Sequence, residues 1–156
     1  MVVLDVFVGE SNPHHLFTQE SFSEIKKILT EDGVLIINGN GFWNGEAGRG
    51  MRSICNTLLS AGFSVTIIPT GEKENYRNLE FVATKSSSPR AQMNQVGNIP
   101  VGANSTTVSL TGAVVLTDEK PQLEILNAEA NKRWREMCIK YFLSGYYSQR
   151  DVLIFK

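Results

Sequence analysis

Cysteine is scarce in these 156 residues. There are two, Cys55 and Cys138, far apart in sequence and in no CxxC pair. With no secretory leader in view, buried free thiols in a reducing, cytoplasmic compartment are expected. Long hydrophobic runs are missing too: none approaches the roughly 20 residues that span a bilayer, so no membrane segment is expected. Neither sign of charge dominates. Fifteen Lys and Arg against sixteen Asp and Glu leave a net charge of -1, which speaks against nucleic acid or a membrane surface as partner. The densest basic patch, Lys132-Arg133-Trp134-Arg135, reads as the wet face of a helix. Internal repeats are absent. What is present is length enough for one domain with a sizeable core. An apolar fraction of 42% and a charged fraction of 20% are ordinary for a globular protein.

Two phosphate-binding motifs are approached and not completed. GNGFWNGEAGRG (39–50) contains Gly39-x-Gly41, but the third glycine is Gly45, one residue late for a dinucleotide loop. Gly45 and Gly50 have P-loop spacing, but Met51 stands where phosphate binding needs a lysine. The loop keeps only backbone that a ligand could approach closely. His14-His15 has no Cys or carboxylate at metal-ligand spacing, so both read as loop histidines and no metal is expected.

The apolar pattern predicts alternating strands and helices. VVLDVFV (2–8) and VLIIN (34–38) are continuous apolar runs, the pattern of strands covered on both faces. Thr18 can cap a helix over about 19–31, with Phe22, Ile25, Ile28 and Leu29 on one face, ended by Gly33. A second helix carries Met51, Ile54, Cys55, Leu58 and Leu59 and stops at Gly62. FSVTIIP (63–69) and LEFVATK (79–85) supply a third and a fourth strand, the fourth reached through the polar loop TGEKENYRN. Strand–helix–strand–helix–strand implies an α/β, doubly wound sheet. Residues 86–112, rich in Ser, Asn, Gly and Gln, read as a polar loop or insertion. Residues 113–156 read as a C-terminal strand and a helix over about 127–143. Trp134, Met137, Cys138, Tyr141 and Phe142 make an apolar stripe on that helix, read as core.

Asp5 is the sharpest single residue. The ligands of open parallel sheets sit beyond the carboxyl ends of the strands, and Asp5 stands at such an end among Val and Leu. An acid there either faces a polar cleft, where it can bind a cation or take a proton, or caps a nearby backbone turn.

These residues together resemble a known family. LDVFVGESNPHHLFTQESFSEIKKILTEDGVLIINGNG is similar to the second half of spermidine synthases, the polyamine aminopropyltransferases. In that family a strand ends in an acid within a D-[ST]-[ST]-D-P stretch, followed by a proline loop, a Leu-Phe pair, a helix and a G-[IV]-L-containing strand. Leu16-Phe17 stand at the family's distance from Asp5, and VLIIN-Gly39 parallels the family strand that ends in Gln-Gly-Glu. IIPT (67–70) resembles the strand before the family's tyrosine loop, and VVLTDEKPQLEILN its Thr-Asp-x-x-x-Pro segment. The resemblance covers most of 1–85 and reappears at 113–136.

It implies a partial Rossmann-like, methyltransferase-like sheet, equivalent to strands 4 to 7, with the last strand, 79–85, antiparallel and inserted between the second and third. VVLDVF would be a central strand, so 1–85 would be the C-terminal half of the domain, and the chain would need a missing N-terminal half or a homodimer to complete its sheet. The activity implied is transfer of an aminopropyl group from decarboxylated S-adenosylmethionine, a co-substrate and not a tightly bound cofactor, to putrescine or a related amine. Asp5 matches the family's first acid, the base that takes the amine's proton. The second acid falls on Val8, which leaves Glu10 to substitute. Asn38, Asn40 and Tyr76 match substrate contacts, and Pro13 and His14 stand in the proline loop beside the co-substrate. Two rivals remain: a methyltransferase of the same fold using intact S-adenosylmethionine, and a non-catalytic remnant acting in assembly. The location expected is the cytoplasm, with the soluble part of a membrane-fused protein as the alternative that divergent family members suggest.

Overall fold

A computed structural model describes residues 1–7, 12–85 and 109–147, the last four of these as backbone only. β1 (Val2–Leu4), β2 (Val34–Asn40), β3 (Phe63–Pro69) and β4 (Asn78–Lys85) form one four-stranded mixed sheet in the order β1-β2-β4-β3. β1 runs parallel to β2, and β4 runs antiparallel to both β2 and β3. The expected antiparallel strand between the second and third is therefore present. It follows β3 through a hairpin closed by Thr70 N–H donating to Asn78 O at 3.0 Å, with a 3-10 turn at Glu74–Tyr76.

Local signals place the helices. Thr18 is extended and its hydroxyl accepts from the Ser21 N–H at 3.2 Å, an N-cap for α1 (Gln19–Ile28). The helix stops short of residue 31 because Leu29 leaves helical geometry, with ψ 138°. α2 (Arg49–Ser60) is followed by Gly62 at φ 79°, the left-handed position where glycine ends helices. A single turn, α3 (Leu123–Leu126), precedes the 20-residue α4 (Ala128–Tyr147).

The layers follow from alternation in the strands. Leu35, Ile37, Val65, Ile67, Leu79, Phe81 and Ala83 share one core with Phe22 of α1, Met51, Ile54 and Leu58 of α2, and Leu123 and Leu126 of α3. Both long connecting helices therefore cover one face of the sheet. On the other face Val34, Ile36, Asn38, Asn40, Thr66, Glu80 and Val82 are only half-buried, and Val3 is 51% exposed. The doubly covered sheet is thus corrected among the described residues to a sheet with one full cover. Runs of Val and Ile suggested two covers because β-branched residues suit a half-open strand as well as a buried one.

Three further expectations change. β1 pairs over three residues, not seven, and Val8 lies outside the described residues. The 113–116 segment forms no strand. Its Val114 and Leu116 N–H groups donate to the Ser53 and Thr57 hydroxyls of α2 at 3.1 and 3.0 Å, and Leu116 O accepts from Gln19 N–H at 2.8 Å, so side chains of a helix replace a ladder. The stripe on α4 is not core: Tyr141 and Phe142 are 74% and 69% exposed, and only the first turns pack, with Ala130 against Phe42 and Ala47. Cys138 is accordingly half-buried, whereas Cys55 is buried and its thiol is pushed up to about 12 by burial. Of the polar stretch 86–112, residues 86–108 lie outside the described residues.

Candidate functional site

The glycine-rich loop after β2 is held by protein groups. Arg52 donates to the Trp43, Gly45 and Thr111 carbonyls, and Arg77 to the Gly41 and Glu72 carbonyls. One Glu74 oxygen accepts from the Trp43 and Asn44 N–H groups, both at 3.1 Å, and from the Asn44 amide at 2.8 Å. A Cβ on Gly48 would strike Trp43 O, and one on Gly41 would strike Arg77 O. The close approach that these two glycines permit is therefore between the loop and its own scaffold.

The loop in turn fixes the carboxyl end of β2, where the open face carries two polar rows. In the first, Asn38 of β2 is in register with Glu80 of β4, and its side-chain N–H donates to Asp5 Oδ1 at 2.9 Å. Asp5 lies one residue past β1 on the side that alternates with half-buried Leu4 and Val6. Burial and the Asp5 carboxylate push Glu80 above its ordinary value. Asn38 Oδ1 is buried without a partner, an accepting oxygen beside two acids.

The second row is Phe7, Asn40 and Asn78, two residues along, with Asn40 and Asn78 in register. Above it passes the start of α4. Phe7, Asn40, Gly41, Asn78, Ala130, Asn131 and Trp134 line a cleft of about 370 Å³. Asn40 is committed to the scaffold: its Oδ1 accepts from Phe42 N–H at 3.2 Å and its amide donates to Asn127 Oδ1 at 3.5 Å. The Asn127 amide nitrogen is buried and unpartnered.

The structure thus brings Asp5, Asn38 and Asn40 together on one face. It leaves Tyr76 73% exposed on the 3-10 turn, outside the cleft lining. Pro13 and His14 stand at a second 3-10 turn, His14–Leu16, with His14 exposed and its ring edge-on to His15. Buried Asn12 anchors that turn by donating to Val6 O at 3.1 Å. Glu10 lies outside the described residues. Among those described, no group of three or more His, Cys, Asp and Glu side chains is placed to hold a metal ion, and no helix is long and apolar enough to cross a membrane. Glu80, Phe7 and Trp134 escaped the sequence reading. Glu80 carried the same signal as Asp5, an acid inside an apolar strand, but only the register of β4 against β2 puts the two in one row.

Chemically, two carboxyl groups flanking an amide oxygen make a site for a cation that donates hydrogen bonds, and an ammonium fits that description. No protein-family model, curated protein or solved structure matches the chain.

Proposed function

We propose that this chain carries the amine-binding carboxylates of an aminopropyltransferase-like α/β domain with a partial Rossmann-like sheet. The observation that supports it is the row itself: Asp5 hydrogen-bonded to Asn38, with Glu80 in register beyond. In such a reaction the neutral amine attacks the methylene carbon next to the sulfonium of decarboxylated S-adenosylmethionine. The new N–C bond forms as the C–S bond breaks, and the sulfur leaves as a thioether with the electron pair. The nitrogen then carries a surplus proton, which Asp5 takes as general base. Glu80 supplies the second acid that the resemblance seeks at Val8, and holds the ammonium form before attack. Asn38 keeps Asp5 oriented, which is a positioning role.

An aminopropyl-transfer assay on the protein and its Asp5→Asn variant tests this. Asn keeps the shape and removes charge and basicity, so turnover should fall about 10²–10⁴-fold with the fold retained. Unchanged turnover in Asp5→Asn, or transfer of methyl in place of aminopropyl as read by product mass, would sink the proposal.

A further inference from the structure

The two rows on the open face differ in chemistry, and the difference bears on which amine is accepted. This step rests on the amine reading above. The first row is acidic, with Asp5 and Glu80; the second, including its roof on α4, brings no charged side chain to the cleft among the described residues. Instead it brings two aromatic rings from different elements, Phe7 at 44% exposure and Trp134 at 40%. Apolar rings left half in water in the lining of one cleft gain by enclosing a third flat apolar group. Asn78 stands beside them with a side-chain amide that no described group engages, suited to a neutral edge and unable to neutralise a cation. A second ammonium in this cleft would lose water and meet no counter-charge among the described lining residues.

We infer that the acceptor is a monoamine with an uncharged aromatic body, its nitrogen on the Asp5–Glu80 row and its ring between Phe7 and Trp134. Two residues along a strand separate the rows by about 6.6–6.8 Å, which a two-carbon linker between nitrogen and ring spans. A diamine charged at both ends satisfies the first row and misfits the second.

Calorimetry on the 156-residue chain with three probes tests this: phenethylamine, putrescine and the neutral phenethyl alcohol. Phenethylamine is expected to bind at least tenfold more tightly than either of the others. Trp134→Ala should erase that preference and Trp134→Phe restore it, while the double variant Asp5→Asn, Glu80→Gln weakens both amines. Putrescine binding as tightly as phenethylamine overturns the inference and leaves the amine reading standing. If neither amine binds, the proposed function itself fails. Phenethyl alcohol binding as well as phenethylamine would show that the cleft holds rings without help from the acids, which also overturns the inference.

Discussion

At Glu80 the sheet holds a carboxyl group partly out of water and in the same row as Asp5, and both influences oppose its ionisation. The folded protein therefore binds the Glu80 proton more tightly than the unfolded chain does. Between the two pKa values the native state carries more protons, so stability falls as pH rises through that window. The contribution of Glu80 is thus most favourable below its ordinary value, about 4.3, and is lost as pH passes its raised one. Glu80→Gln removes this penalty. Urea unfolding should show the variant more stable than the parent at pH 7 and equal to it below about pH 4. A variant equally weakened at both pH values would mean that Glu80 acts as a neutral hydrogen-bonding group. Asp5 was legible in the sequence because an acid closes an apolar run at the chain's first strand. Glu80 was not, since its partner lies 75 residues away and only strand pairing joins them.

Among the elements, β1 has the most exposed position. Its one neighbour among the described strands is β2, so the outer N–H and C=O groups of Val2–Leu4 have no ladder, and Val3 is half in water on the open face. Such an edge, with neither Lys nor Pro, is a template for another strand. The chain is expected to self-associate at micromolar concentration and Val3→Lys to shift it toward monomer, as light scattering would record. A monomeric parent would show that this edge is already shielded. Elements set by local rules were readable, including α1 with its Thr18 cap, the end of α2 at Gly62, and β3 to the residue. α4 was misread because helical spacing of Trp134, Cys138 and Tyr141 reports a face but not what lies against it. The 3-10 turns at His14–Leu16 and Glu74–Tyr76 were not anticipated, since turns of three residues leave no periodicity to detect.

For the molecule as a whole, the antiparallel pairing of β4 with β3 was legible because the short connection after residue 69 suits a hairpin and not a crossover, whereas its insertion beside β2 was expected from the resemblance alone and the single cover of the sheet was not foreseen. The inserted β4 has a consequence for synthesis. β2 and β3 never touch as neighbours; each is joined to the sheet through β4, which is the last of the four to leave the ribosome. From the emergence of residue 34 to that of residue 85, one edge of β2 waits for a partner, and β3 joins that wait once residue 63 has emerged. At usual elongation speeds that wait lasts roughly 3–10 s. A nascent chain arrested anywhere before Asn78 holds α1 and α2 of the main core and no strand to join β2 to β3, so for this protein the quality of folding depends on how promptly translation delivers its fourth strand.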